Sequence, residues 1–361
     1  ERFLGAGLPE VLISDMRGQT RAGRSGVIGA DLERELLDTL DRGRQAILFL
    51  NRRGNSRVIG CAMCGWVPEC PNCSANLTYH SASGRAVFHN YGATDQVTST
   101  CPVCGGDQLF TGTPGTQKVE EKLHALFPGA KVLRMDTDTV GASHGHEKLL
   151  RQFEEEKIPI LLGTQMVAKG LDFENVTLVG VLCADVSLYI DNYRAPERTF
   201  SLLSQVVGRA GRGSKQGRAI IQTFTPENEV IRAAAAQDYD AFYESEIRMR
   251  RLRRYPPFAD LFSFTVTGAD ESRVIRAAKA LRDALGYAVE RREELKPLSI
   301  EVLGPAGASV VKVNNRYRYR VFLVGKGCPA LRRLVAEYLY AFYQHKENRG
   351  LDIFADCNAI Q

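Results

Sequence analysis

The sequence predicts an α/β fold: a doubly wound parallel sheet, interrupted by a cysteine-rich insertion and followed by a smaller α+β unit of ferredoxin-like order. Three observations predict it. From residue 31 to 226, short continuous apolar runs alternate with helical stretches, the pattern of a parallel sheet buried on both faces. Three Cys-x-x-Cys pairs crowd between Cys61 and Cys104. After Pro256-Pro257 the pattern becomes strand, helix, strand, strand, helix, strand.

The chain has 361 residues, 44% apolar and 25% charged, a globular balance with ample core and room for two or three domains. A formal net charge of +5 permits a nucleic-acid partner without demanding one. No apolar run approaches the roughly eighteen residues of a membrane-spanning helix. No secretory signal opens the chain. A cytoplasmic location without membrane partners is expected, and the opening Glu1-Arg2-Phe3 reads as that of a fragment.

Residues 1–30 read as an irregular linker with one short apolar run, Val11-Leu12-Ile13. A helix is expected from Leu32 to Arg42, capped by Asp31 and ended near Gly43. Gln45 to Asn51 is a continuous apolar strand, and it runs into Asn51-Arg52-Arg53-Gly54. Polar residues at the carboxyl end of such a strand meet ligand in many α/β sheets, although an ordinary polar turn also fits.

The insertion, residues 56–110, holds Cys61/Cys64, Cys70/Cys73 and Cys101/Cys104. Each pair presents two thiolates from one tight turn, and two pairs complete a tetrahedral zinc site. The remaining cysteines, Cys183, Cys328 and Cys357, are scattered. Paired spacing without a secretion signal argues for metal rather than disulfides.

Beyond the insertion come a helix from Gly115 to about Leu126, a strand from Lys131 to Asp136 and a helix from Gly145 to Lys157. Strands follow at Ile158 to Thr164, Val176 to Asp185 and Arg218 to Thr223, with a helical region from Arg194 to Arg212 before the last. Gln205, Arg209 and Arg212 stand at i, i+4 and i+7, on one face if helical. Gly208 and Gly211 permit close approach. Two arginines on one stripe suit a polyphosphate, a solvated helix face being the plainer alternative.

A helical run from Val230 to Met249 then leads to an arginine cluster, Arg250 to Arg254, and the Pro256-Pro257 boundary. The last unit is read as strand Leu261 to Thr267, helix Ser272 to Arg291, strands Ser299 to Leu303 and Tyr317 to Val324, helix Ala330 to Gln344 and strand Leu351 to Phe354. Lys312 and Arg316 belong to a stretch where Arg and Tyr alternate. That suits phosphate contacts with base stacking, and it suits ordinary cross-strand pairing as well.

Gly163-Thr164-Gln165-Met166-Val167-Ala168-Lys169-Gly170-Leu171-Asp172-Phe173 and Gln205-Val206-Val207-Gly208-Arg209-Ala210-Gly211-Arg212-Gly213 resemble motifs V and VI of superfamily 2 helicases, in the second RecA-like lobe. Asn51 to Gly54 resembles motif IV. Together with the cysteine insertion, Gly304-Pro305-Ala306 and Lys312 to Arg320, they resemble one family, primosomal protein N′ (PriA), the replication restart helicases.

The resemblance implies a RecA-like lobe in residues 31–55 and 111–226, a zinc insertion at 56–110, a connecting helix at 227–258 and a fork-binding domain at 259–361. Residues 1–30 would link it to a first lobe. The phosphate-binding loop and acidic Mg²⁺ motif of such motors are not found; Gly211-Arg212-Gly213-Ser214-Lys215 is only superficially similar. The chain alone is therefore expected to be inactive.

The implied activity is an ATP-dependent 3′–5′ DNA helicase that recognises stalled or repaired forks and starts primosome assembly. ATP and Mg²⁺ would bind in the cleft between lobes. Arg212 would be the arginine finger, Arg209 would assist, Gln205 would orient them, and Gly170 and Asp172 would line the nucleotide. Thr164, Gln165, Arg52, Arg53, Lys312 and Arg316 would contact DNA. Implied partners are forked and single-stranded DNA, single-stranded-DNA-binding protein and primosome-loading proteins, at the nucleoid of a bacterial cytoplasm.

The family holds two zincs. Its outer site matches Cys61, Cys64, Cys101 and Cys104. Its inner site should join Cys70 and Cys73 to a Cys-His-x-Cys-Gly stretch, where this chain reads Phe88-His89-Asn90-Tyr91-Gly92. Either His89 or His80 substitutes, or Phe88 and Tyr91 form an apolar plug and that zinc is lost. Two other readings of the whole are a fork-binding scaffold with an inactive motor and a zinc-ribbon helicase of another branch.

Overall fold

The computed structural model describes residues 9–24, 26–51, 58–69, 77–80, 85–87, 94–96, 99–136, 145–164, 173–190, 192–211 and 217–358. The chain begins β1 (Glu10–Asp15), α1 (Met16–Arg21), α2 (Ala30–Asp41), β2 (Gln45–Leu50) and β3 (Ile59–Cys61). Next come β4 (Thr78–His80), β5 (Arg85–Val87), β6 (Thr94–Gln96), β7 (Leu109–Thr111), α3 (Thr116–Leu126), β8 (Val132–Met135) and α4 (Gly145–Glu155). Then follow β9 (Ile160–Gly163), β10 (Val176–Leu182), α5 (Ala195–Val207), β11 (Arg218–Thr223), α6 (Glu229–Ala236) and α7 (Tyr239–Leu252). The chain closes with β12 (Asp260–Gly268), α8 (Glu271–Arg291), β13 (Glu301–Val313), β14 (Arg316–Gly325), α9 (Pro329–Gln344) and β15 (Asp352–Cys357). Two compact units result, one from Glu1–Val67, Thr98–Ile190 and Ala195–Ser245, the other from Pro68–Val97, Asp191–Arg194 and Glu246–Gln361.

The first unit is built on a six-stranded sheet in the order β1-β11-β10-β2-β9-β8, every neighbouring pair parallel. Its three central strands, β10, β2 and β9, are buried at every position, which is why they read as unbroken apolar runs. Their side chains divide by alternation. Ile47 and Phe49 join Leu203, Val206 and Ile231 from α5 and α6 on one face. Ala46, Leu48 and Leu50 join Leu32, Leu36, Val119 and Leu123 from α2 and α3 on the other. Helices on both faces make the sheet doubly wound, as expected. Gly180 in β10 allows α2 to sit close: a Cβ there would lie 2.6 Å from Leu48 Cδ2 and 2.8 Å from Leu32 Cδ1.

Four local expectations are corrected. Residues 10–15 are not irregular: they form edge strand β1, in parallel register with β11 from Glu10↔Arg218 to Asp15↔Thr223. Asp31 does not cap α2. The cap is Gly29, and the free N–H groups of Gly29 and Ala30 donate to the side chains of Gln222 and Gln19, each at 2.7 Å, while Asp31 accepts from Ser14 Oγ. The helical run from Val230 to Met249 is two helices, because Gln237 takes a left-handed φ of 54° and ends α6. Finally, α5 stops at Val207, before Arg209 and Arg212.

The second unit carries the four-stranded antiparallel sheet β13-β14-β12-β15. Helices α8 and α9 cover one face through Val274, Leu281, Leu285, Leu331 and Leu334, packed on Phe264, Val266, Val321 and Leu323. Strand order and element order are both ferredoxin-like. Strand β13 is longer than the expected Ser299 to Leu303, because register shifts after Leu303 and Gly307 let pairing with β14 resume as far as Val313↔Arg316. Asn314 and Asn315, both at positive φ, make the tight turn between them. In the same unit β4, β5 and β6 form a short antiparallel meander. Among the described residues, no helix is long and apolar enough to cross a membrane.

Candidate functional site

Two cysteine turns face one another beside the β3–β7 pair. In the first, the N–H of Cys61 donates to Trp66 O at 2.8 Å and that of Gly65 to Cys61 O at 2.8 Å. In the second, the N–H of Cys101 donates to Gly106 O at 2.7 Å and that of Gly105 to Cys101 O at 2.9 Å. The turns are equivalent residue for residue, and both need a left-handed glycine, with φ of 81° at Gly65 and 70° at Gly105.

The four sulfurs lie within 4.8 Å of one another, with Cys61 to Cys104 and Cys64 to Cys101 each at 3.6 Å. Sulfurs bound tetrahedrally at roughly 2.3 Å from zinc are roughly 3.8 Å apart, so the donor set fits such an ion. Burial pushes the Cys61 and Cys64 thiols up, and at Cys64 the neighbouring thiols of Cys101, Cys104 and Cys61 add to the rise, to about 12. At Cys101 burial acts the same way, but the N–H groups of Cys104 and Val103 outweigh it and bring the thiol down to about 7. Deprotonated together, four thiolates this close would need a cation between them. Cys70, Cys73, Phe88, His89 and Tyr91 lie outside the described residues, as does the side chain of His80.

The paired turns are fixed to the parallel sheet. Phe110 of β7 stacks on Phe224 at 5.1 Å, Arg21 Nε donates to Met63 O at 2.8 Å, and Gly65 packs directly on the Phe224 carbonyl. Phe224 is held in turn by a carboxylate that sequence reasoning missed. Asp185, in the short turn after β10, accepts from the Phe224 N–H at 3.0 Å, the Thr225 N–H at 3.2 Å, Thr223 Oγ1 at 2.5 Å and Thr225 Oγ1 at 2.6 Å. Its only signal in the sequence is an acid shortly after a buried apolar strand, separated from it by Cys183 and Ala184. Beside it, burial and the Asp185 charge push the Cys183 thiol up to about 12.

Because all six strands are parallel, the sheet has a carboxyl edge and an amino edge, and the expected site residues divide between them. Asn51 and Thr164 follow β2 and β9 at the carboxyl edge. Asn51 is buried there: its Nδ2 donates to Ala184 O at 3.0 Å and Ser187 Oγ at 2.8 Å, and Thr199 Oγ1 of α5 donates to the same Ser187 hydroxyl. This polar chain ties the end of β2 to the start of α5.

The far end of α5 lies at the amino edge. Beyond Val207 the helix tightens to i−3 hydrogen bonds at Arg209 and Ala210. Gly211, at φ 64°, then donates to Val176 O, at the first residue of β10. Phe173 is at this edge too, accepting from the Val176 N–H. Gln205 is exposed in the last turn of α5 and bonds Ser201; Arg209 is half-buried in the tightened turn. The single helical face expected for Gln205, Arg209 and Arg212 is therefore broken by the end of the helix. Arg212, Arg52, Arg53, Gln165, Gly170 and Asp172 lie outside the described residues.

In the second unit, Lys312 pairs with Tyr317 across the β13–β14 hairpin, its Nζ 4.9 Å from the ring centre. Arg316 donates to Thr267 O at 3.2 Å and forms an ion pair with Asp352. Both cations are engaged in cross-strand contacts, so a phosphate at Arg316 competes with Asp352.

Comparison with known proteins gives a consistent answer. Residues 105–214 match the helicase conserved C-terminal domain, and residues 251–358 match the primosomal protein N C-terminal domain. Replication restart protein PriA of Bacillus subtilis is 41% identical over 97% of this chain and 43% of its own length. The protein of that name from Synechocystis is 38% identical over 90% of this chain and 38% of its own length. The chain thus spans less than half of either relative. Among solved structures, RecG bound to a three-way DNA junction aligns with 68% of this chain and 22% of its own, at 14% identity and a TM-score of 0.37, too low to bear on function.

Proposed function

This chain belongs to the replication restart protein PriA family, and from that premise we propose that it forms the second motor lobe, zinc insertion and C-terminal unit of an ATP-driven DNA helicase. The motor runs 3′ to 5′ on single-stranded DNA, recognises forks and starts primosome assembly. Its partners are forked DNA, single-stranded-DNA-binding protein and primosome-loading proteins. ATP with Mg²⁺ binds between this lobe and a companion lobe that supplies the phosphate loop.

What supports this reading is the division of labour between the two edges of the sheet. The Gln205–Gly211 stretch is hydrogen-bonded onto the start of β10, beside Phe173, at the amino edge. Thr164 and Asn51 lie at the carboxyl edge, so nucleotide and DNA can act on opposite ends of one rigid sheet. Gly170, Asp172, Arg209 and Arg212 serve the nucleotide, with Arg212 offsetting transition-state charge. Thr164, Gln165, Arg52 and Arg53 serve the DNA backbone, joined by Lys312 and Arg316 from the second unit. Cys61, Cys64, Cys101 and Cys104 hold zinc, which supplies a cross-link between the two turns and takes no part in hydrolysis.

The test is ATP hydrolysis by this chain joined to the first lobe, with and without 3′-ended fork DNA. Turnover that depends on the fork supports a restart helicase. Tight fork binding without turnover would instead favour the scaffold reading.

A further inference from the structure

At the carboxyl edge of the first unit the described residues enclose a cavity of about 390 Å³. Its wall is mostly apolar, made by Val27, Val58, Phe110, Val186 and Phe224. It lies where the insertion joins the sheet, since Val58 leads into β3 and Phe110 belongs to β7. That size and lining are those of a small-molecule site, in which a few polar groups set orientation.

The charged groups here are two lysines and one aspartate. Lys118 and Lys122 line the cavity from α3, one turn apart and therefore on the same face. Both are exposed, and among the described residues neither has an ion-pair partner. Asp185 also lines the cavity, but its oxygens are taken up by four donors from Thr223, Phe224 and Thr225. Cys183 contributes a thiol that burial keeps neutral. An apolar floor beneath two cations that have no ion-pair partner among the described residues is complementary to an apolar anion.

We propose that this cavity binds a small amphiphilic anion, an aromatic or branched apolar body carrying one carboxylate, sulfonate or phosphate monoester, whose charge is taken by Lys118 and Lys122. The ligand sits at the joint of insertion and sheet, so its binding stabilises the first unit. Nothing in this assignment depends on the motor reading.

The probe is 8-anilinonaphthalene-1-sulfonate, which has the required body and single charge, titrated calorimetrically into the zinc-loaded chain. One dye per chain is expected, with affinity falling several-fold as NaCl rises from about 0.05 to about 0.5 M. The double variant Lys118→Glu/Lys122→Glu should weaken binding at least tenfold. An equal charge change on exposed residues of α8, Arg276→Glu/Lys279→Glu, should alter it less than twofold. Salt-independent binding, or equal loss in both double variants, would overturn the proposal. So would displacement of the dye by oligo-dT, which would assign the two lysines to a nucleic-acid backbone.

Discussion

The two cysteine turns offer a matched pair of substitutions. Gly65 and Gly105 occupy the same position in equivalent turns, at φ of 81° and 70°. An alanine in this left-handed region costs about 1–2 kcal/mol for backbone conformation alone. At Gly105 nothing lies within 4 Å of the added Cβ, so Gly105→Ala pays that and no more. At Gly65 the Cβ would come 2.2 Å from the Phe224 carbonyl oxygen, a backbone atom that no rotamer change can move.

Relief at Gly65 requires the turn to lift off Phe224, which also loosens the Phe110–Phe224 stack, worth about 0.5–1.5 kcal/mol beyond its buried area. Together with the backbone term, Gly65→Ala should cost about 1.5–3.5 kcal/mol. For the proposed zinc, whose binding would be coupled to forming this site, the cost should appear as weakened affinity, about tenfold per 1.4 kcal/mol. Competition with a chromophoric chelator should show roughly a tenfold loss for Gly105→Ala and a loss several-fold larger again for Gly65→Ala. Equal losses in the two variants would refute the packing of the first turn on Phe224.

Other outcomes follow from single contacts. Asn228 caps α6 by accepting from the N–H groups of Val230 and Ile231, so Asn228→Ala should cost about 1 kcal/mol in urea denaturation of the first unit. Gln237→Gly, at the left-handed end of the same helix, should instead raise stability by up to about 1 kcal/mol. Burial, and the hydrogen bond from its hydroxyl to Glu271, push Tyr319 up to about 12. A raised acid favours the folded state below the unfolded value of roughly 10, and this contribution is lost as pH climbs through about 12. Tyr319→Phe should therefore flatten the alkaline fall in stability of the second unit between those values, read by denaturation at stepped pH. An unchanged slope would count against the buried hydroxyl.

Legibility followed burial. β2, β9 and β10 stand out in the sequence because strands covered on both faces carry few polar residues, here only Gln45 and Thr177. β1 does not: as an edge strand it mixes exposed and half-buried positions with one buried serine, Ser14, a pattern that reads as linker. The cap of α2 was misassigned because its partners, Gln19 and Gln222, come from segments that only the fold brings together. Spacing alone shows three cysteine pairs, and the family resemblance selects the two that meet, Cys61/Cys64 and Cys101/Cys104. The placing of the Gln205–Gly211 stretch at the amino edge is not legible in the sequence, since the point where α5 ends and its bond to Val176 are tertiary facts. Asp185 was hidden for a related reason: its four donors lie 38 to 40 residues away along the chain.

The most direct measurement compares two variants of the chain joined to its companion lobe, by steady-state ATP hydrolysis and by fork-DNA binding. Arg212→Ala should lower turnover at saturating DNA by about a thousandfold or more while leaving the DNA dissociation constant within twofold. Arg52→Ala/Arg53→Ala should weaken DNA binding and reduce its salt dependence by about two phosphate contacts, with turnover at saturating DNA preserved. Loss of both properties together in either variant would contradict a lobe that meets nucleotide at one edge and DNA at the other.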